Sequence, residues 1–284
     1  MSWLALTLAA AALAAAARVS HRYLLVEAAD PTAYAIAYQL AAAAFIAPVA
    51  VADLRDYLPR PEHLPYYLAM LASIGCWMAF NWCSFHADRH AEVSMTSVLA
   101  RTRAVWSVLV GAVLFGESIL LLRVIGACLI VVGAALLVRP TAIRANRGVA
   151  LALAAALVAS LAHASDSFAA REVPAGILTA SGFLGGGLLL SLTARSSVAR
   201  VRKLLRTRAR YGVLSALLAS WSYWFLVQAL AVGEVGQVVP IYQGNLVLVV
   251  LAGVLLLRER TDLTRKLLAA GAALAGAVLV SAAS

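Results

Sequence analysis

Apolar residues run through this chain in blocks of roughly twenty, separated by short polar links, and the pattern is written twice. The stretch Glu92 to Glu117, EVSMTSVLARTRAVWSVLVGAVLFGE, recurs at Glu234 to Glu259 as EVGQVVPIYQGNLVLVVLAGVLLLRE, displaced by 142 of the 284 residues. Without a gap this offset superimposes Val105 on Val247, Gly111 on Gly253 and the flanking glutamates on each other, and upstream it pairs Trp82 with Trp224. Each copy is an apolar helix that suits a hydrocarbon core of ~30 Å at a rise of 1.5 Å per residue. Extended to the whole chain, the pattern predicts ten spanning helices. They fall near 3–26, 31–51, 65–87, 92–117 and 120–138, then near 148–170, 174–194, 211–231, 235–257 and 264–282. Five is odd, so the second copy must cross the membrane in the opposite sense to the first. The expected fold is an all-α membrane protein built from two inverted five-helix repeats, 3–142 and 148–282. Proteins with this plan place a site near the bilayer midplane between the halves and expose it to each side in turn.

Composition agrees. Hydrophobic residues are 63% and charged residues 13% of the chain, and the mean hydropathy is +0.90, which no soluble core could absorb. The net charge of +10 would suggest nucleic acid in a soluble protein. Here the basic residues sit mostly in links between apolar runs, so they read as topology signals, and no nucleic-acid partner is expected. Cys76, Cys83 and Cys128 lie within apolar segments without metal-ligand or disulfide spacing, so no metal or cofactor is expected. The Ala/Leu run at 3–17 lacks the preceding positive charge of a secretory signal and is read as the start of the first helix.

Seventeen Lys and Arg fall in the links on one side and four on the other. The basic stretch RSSVARVRKLLRTRAR at 195–210 supplies seven of the seventeen. The positive-inside rule then puts both termini outside and that stretch in the cytoplasm, as a link or as an amphipathic helix on the membrane surface. A multi-pass protein of a prokaryotic plasma (inner) membrane is the expected location.

The paired repeats end in LFGE at Glu117 and LLRE at Glu259, and each continues into a helix rich in small residues. In this the chain resembles the drug/metabolite transporter superfamily, specifically proteins with two EamA-type domains, over nearly its whole length. The resemblance implies a secondary permease; many such proteins export amino acids, other metabolites or drugs. It also implies both termini inside, opposite to what the count of basic residues gives, and a proline in the middle of the fourth and ninth helices. Pro240 fits, but the equivalent in the first copy is Val98, so the fourth helix is expected to be the straighter one.

Candidate chemistry lies in the few polar residues of the spans. Arg101, paired by the repeat with Gln243, sits near mid-membrane, where a guanidinium must face a wet cavity or a partner; with Ser94 and Ser97 it forms one polar stripe. Arg103 lies about 200° around the helix, so Arg101 is assigned to the cavity. His21 and His163 are equivalent by the same offset, and Asp166 is the one acid within a predicted helix body. These three are proton-coupling candidates, or else partners in hydrogen bonds and ion pairs across the bundle, with Arg18 and Arg101 as counter-ions to Asp166. Trp82 and Trp224, beside Asn81 and Tyr223, together with Trp77, Trp106, Trp221 and Tyr242, are candidates for an aromatic cavity wall or for interfacial anchors. The expected substrate cavity thus comprises Arg18, His21, Asn81, Trp82, Ser97, Arg101, His163, Asp166, Tyr223, Trp224, Tyr242 and Gln243. Glu117 and Glu259 read as helix-terminus carboxylates.

Gly126, Gly133, Gly271 and Gly276 give the fifth and tenth helices small faces, for packing within the monomer or for a homodimer. No HExxH, DxxxD array or Walker A loop is present, which argues against an enzyme or an ATP-driven pump. The expected function is transport of a small organic metabolite, possibly anionic or an amino acid, with membrane lipids as the surrounding partner. The alternative is a flippase for a lipid-linked or polyprenyl-phosphate carrier.

Overall fold

A computed structural model describes residues 2–25, 31–90, 93–137, 147–193, 197–255 and 263–283, and the described residues form helices without a strand. In chain order these are α1 (Trp3–Leu25), α2 (Pro31–Asp56), α3 (Leu64–His90), α4 (Val93–Arg101), α5 (Arg103–Phe115) and α6 (Leu121–Leu136). The second half gives α7 (Arg147–Ala169), α8 (Ala175–Thr193), α9 (Ser197–Val232), α10 (Val235–Gln243), α11 (Leu246–Leu255) and α12 (Leu263–Ala282). Seven described stretches are long and apolar enough to cross a membrane, and Trp3–Arg18 and Leu121–Leu136 are shorter apolar helices. Large side chains such as Leu68, Leu71, Val113, Leu188, Leu192 and Leu274 are exposed on the outside. Water would not tolerate so many bare leucines, whereas acyl chains do.

The interior is the reverse of this surface: its packing residues are small. On α7, Ala152, Ala155, Ala156, Ala159, Ser160 and Ala162 are all buried, a face that lets α3 and α5 approach closely. The main packing partners are α1 with α9, α3 with α7, α2 with α8 and α6 with α12. Shifting by 142 residues exchanges the first two pairs and maps each of the last two onto itself. In the α6–α12 pair the helices run antiparallel: Gly126 lies against Gly276, and Gly133 against Ala269 and Ala273. A Cβ at Gly126 would fall 2.5 Å from the Gly276 carbonyl oxygen, and one at Gly276 would fall 2.4 Å from that of Gly126. The small faces are therefore spent inside the monomer, while Gly271 faces outward. Gly126→Leu is expected to lower stability by ~3 kcal/mol or more, because backbone stands where the side chain must go. Thermal unfolding in detergent followed by tryptophan fluorescence reads this; an unshifted midpoint would refute the contact.

Two sequence expectations need correction. The fourth span is interrupted as the ninth is, not continuous: α4 and α5 part at Thr102, whose amide donates to the Leu99 carbonyl only three residues back (3.0 Å) and whose hydroxyl donates to the same oxygen (2.6 Å). A threonine competing for the backbone interrupts this span without a proline. In the ninth span α10 and α11 part at Gly244 and Asn245, just beyond Pro240, and Gly244 is Thr102 shifted by 142. The second correction concerns the basic stretch. It is neither a link nor a separate surface helix, because α9 runs unbroken for 36 residues from Ser197 to Val232. That is ~54 Å of helix, of which the apolar span is Gly212–Val232, so the basic part continues the same helix past the hydrocarbon core.

One end of the bundle is sealed. It carries the links 57–60, 116–120, 170–174 and 233–234 together with the first and last described residues. Glu117, after the left-handed Gly116 (φ 68°) that ends α5, accepts the amides of Val235 and Gly236 at 2.8 Å each and so caps α10 of the other repeat, rather than the helix that follows it. Burial pushes the Glu117 carboxyl above the ordinary carboxylate range, against the pull of those two amides. Arg123 forms an ion pair with Glu234 and donates to the Ala283 carbonyl at 3.3 Å. Asp53 caps α8 through the Gly176 amide at 2.8 Å. Beneath them Leu6, Leu226, Leu230, Val235, Val238 and Val239 close into an apolar plug with Trp3 and Phe115.

Candidate functional site

A cavity of about 460 Å³ lies between the halves, below the apolar plug. α1 contributes Arg18, α2 Tyr38 and Gln39, α3 Trp77, Phe80 and Asn81, and α5 Arg103. From the second half come His163 on α7, Phe183 on α8, Ser222 and Tyr223 on α9, Tyr242 and Gln243 on α10, and Asn245 in the break.

The two helix breaks give the cavity its electrostatics. A helix that stops in mid-membrane leaves carbonyls without amide partners, and its C-terminal end carries partial negative charge. Both ends are answered by arginine. One terminal nitrogen of Arg101 donates to the Gln243 carbonyl (3.0 Å), to Gln243 Oε1 (2.9 Å) and to Asn245 Oδ1 (3.2 Å). Gln243 is the residue 142 positions on, so Arg101 touches its own repeat equivalent, and the contact marks where the two copies meet. Arg103 Nε donates to the Ala100 carbonyl at the end of α4 (3.2 Å), and Ser160 Oγ donates to the carbonyl of Arg103 (3.2 Å). The remaining guanidinium face of Arg103 lies 5.6 Å from the Phe80 ring centroid, at the cavity edge. Among the described residues that line the cavity there is no carboxylate.

An aromatic wall runs opposite these charges. Tyr38 meets Phe183 edge-on (6.4 Å), Phe183 meets Tyr223 (5.6 Å), Tyr223 meets Trp77 (5.7 Å) and Trp77 meets Phe80 (5.4 Å). Such rings offer apolar area with polar edges, and Trp77 Nε1 donates to the Tyr223 hydroxyl at 2.7 Å. Behind that wall sits Asp166, 4% exposed, which accepts hydrogen bonds from Ser73 Oγ, Tyr223 OH and Trp77 Nε1. His163 is 1% exposed and lies edge-on to Trp77 at 5.1 Å, with neither ring nitrogen hydrogen-bonded among the described residues. The side-chain amide nitrogen of Gln243 is likewise unpartnered. Buried donors without acceptors beside a cavity are groups for a ligand or water to satisfy.

Of the residues singled out from sequence, Arg18, Asn81, His163, Tyr223, Tyr242 and Gln243 line the cavity, and Asp166 lies one layer behind it. Arg101 does not line it; its guanidinium is occupied by the break in the ninth span, and Arg103 takes the position given to it. Trp82 points away, 50% exposed and stacked on His86 at 4.2 Å. Trp224 packs on Trp221 (5.3 Å) and Phe225 (5.0 Å), beside a shallow cleft with Arg171 and Glu172 at the sealed end. The side chains of His21 and Ser97 lie outside the described ones. Tyr38, Gln39, Phe80 and Phe183 carried no repeat signal and were not singled out.

Apolar helices with leucines outward, two broken helices meeting at the centre and a polar cavity beside them define a multi-pass membrane transporter. The chain belongs to the EamA-like transporter family, which matches over residues 1–139 and again over 146–282. A solved crystal structure superimposes on it with a TM-score of 0.77 at 18% identity, covering 99% of this chain and 96% of the other, which shows a shared fold. No curated protein matches the sequence.

Proposed function

We propose that the protein is a secondary transporter of a small organic anion with an apolar or aromatic body. The cavity between Arg103 and the aromatic wall carries this reading: two arginines, Arg18 and Arg103, border it, and no carboxylate among the described residues offsets them. Burying a guanidinium inside a membrane span is costly, and an arriving carboxylate or phosphate lowers that cost. The wall from Tyr38 to Phe80 accepts the apolar part, and the unpartnered donors of His163 and Gln243 are placed for further acceptor atoms.

Movement follows from the duplication. The halves are inverted copies, a relation supported by the antiparallel packing of α6 with its equivalent α12 and by the exchange of the α1–α9 and α3–α7 pairs under the offset. Rocking one copy against the other breaks the seal of Glu117 and Arg123 at one end while closing the other. The distribution of basic residues puts the termini, and with them the sealed end, outside the cell, so that the cavity faces the cytoplasm in this conformation.

The test is thermal unfolding of the purified protein with matched aromatic solutes, 3-phenylpropionate and 3-phenylpropylamine. A ligand of the folded state raises the midpoint. The carboxylate is expected to raise it and the amine to leave it unmoved. Stabilisation by the amine, or by neither, would overturn the anion reading, and stabilisation by a polyprenyl phosphate alone would transfer it to a flippase.

A further inference from the structure

We infer that Asp166 is a proton-binding site that takes up a proton when the anion enters the cavity and gives it up when the anion leaves. The inference rests on the transport reading above and adds what drives it.

Asp166 is buried in α7, within the span Arg147–Ala169, and its hydrogen-bond partners among the described residues are all neutral: Ser73 and Trp77 from α3 and Tyr223 from α9. No lysine or arginine forms an ion pair with it among the described residues. Around it α3 also presents the Cys76 thiol and α7 itself presents His163 one turn earlier, while Arg103 of α5 and Tyr242 of α10 line the cavity, which Trp77 and Tyr223 part from Asp166. Arg101 of α4 is turned to the α10–α11 break. A carboxylate held by dipoles alone has nothing to fix its charge, so its proton occupancy follows the potential of its surroundings. The cavity supplies that potential. Its two arginines favour the ionised form while it is empty, and an anion that neutralises them removes that support.

The same geometry gives the proton a path. Trp77 and Tyr223 are at once donors to Asp166 and part of the cavity wall. A proton delivered from cavity water to the Tyr223 oxygen displaces that hydroxyl's own proton onto Asp166 Oδ2. The carboxylate becomes a carboxylic acid and the tyrosine is unchanged; release runs the same steps backwards. Proton and anion then travel in the same direction, one with one.

Calorimetry of 3-phenylpropionate binding to the full chain, in two buffers of different ionisation enthalpy at one pH, counts the protons. About one should be taken up per anion by the native protein and none by Asp166→Asn. In proteoliposomes a gradient of one pH unit should drive about tenfold accumulation at that stoichiometry for 3-phenylpropane-1-sulfonate, a permanent anion that does not cross lipid as a neutral acid. Asp166→Asn should bring the accumulation ratio to about one while exchange of labelled for unlabelled anion continues. Binding without proton uptake by the native protein overturns this inference and leaves the anion reading standing. Gradient-driven accumulation by Asp166→Asn also overturns it, whereas the absence of anion binding overturns the transport reading beneath it. The native measurement needs no variant, so a misfolded Asp166→Asn would not shelter the proposal.

Discussion

Replacing Arg103 by glutamine is expected to weaken binding of 3-phenylpropionate ~10- to 100-fold, while the protein folds as well as before. A hydrogen bond from a charged donor contributes ~1.5–3 kcal/mol, and each 1.4 kcal/mol is a factor of ten in affinity. Among the described residues the guanidinium spends only Nε on the protein, donating to the Ala100 carbonyl, and the residue lines the cavity. Glutamine loses the charge, but its Nε2 stands at the same place along the side chain as the arginine Nε and keeps a donor for the Ala100 carbonyl. Because Arg103 has no acid partner among the described residues, its removal strands no carboxylate, and losing an unpaired buried charge relieves a desolvation cost. Isothermal calorimetry separates the effects: Kd should rise with the unfolding midpoint unchanged or higher. Arg103→Lys should fall between, since it restores the charge without the planar fork. Native affinity in Arg103→Gln would remove this residue from the site.

Much of the fold was legible because membranes impose few solutions and because the chain states its plan twice. Apolar runs long enough to span hydrocarbon place most helix ends within a few residues of where they stand, as in α7 and α8. The failures share a cause, namely that hydropathy reports where a segment sits and says little of whether its backbone is continuous. Residues 195–210 are basic and were read as a link, yet Ser197 to Arg210 contains no glycine or proline to stop a helix, and α9 runs straight through. The break at Thr102 was hidden for the opposite reason. It lies inside an apolar run, and its agents are a hydroxyl that competes for the Leu99 carbonyl and guanidinium groups that satisfy the carbonyls it frees.

The site was half visible for a related reason. Polar residues inside spans are conspicuous, and Arg18, Asn81, His163, Tyr223, Tyr242 and Gln243 were found on that ground. Aromatic residues are not conspicuous, since a membrane helix carries them at the interface, in the core and in a cavity alike. Trp82 and Trp224 drew notice by repeating, yet Trp82 stacks on the histidine one turn along and Trp224 packs near the sealed end. Trp77, a candidate for the same wall that does not repeat, its equivalent being Ala219, is the one at the centre. Repetition marks what the scaffold needs in both halves; a cavity that holds an asymmetric solute is built where the copies differ. Asp166 and its equivalent Leu24, or Arg103 and Asn245, show the same divergence.

Arg101→Met is expected to do the opposite of Arg103→Gln, lowering stability by ~2–4 kcal/mol before any effect on binding is seen. The Gln243 carbonyl, Gln243 Oε1 and Asn245 Oδ1 all receive a bond from one guanidinium nitrogen, deep in the bundle where Arg101 is 4% exposed. A buried acceptor left without a donor costs ~1–3 kcal/mol, and the carbonyl, fixed at the end of α10, cannot turn away to find another. The two side-chain oxygens can rotate, and the desolvation cost of the arginine itself is recovered, so the net loss falls well below three times that figure. Since the residues set adrift are Gln243 and Asn245, both on the cavity wall, the damage begins at the α10–α11 break. The variant should therefore unfold at lower temperature, and amide hydrogen exchange should rise first around 241–247. Arg101→Lys should recover part of the midpoint, because an ammonium donates to the same carbonyl. If Arg101→Met instead kept its native midpoint and lost only anion binding, the roles of the two arginines would have to be exchanged, and the neutralisation of the helix ends would need another explanation.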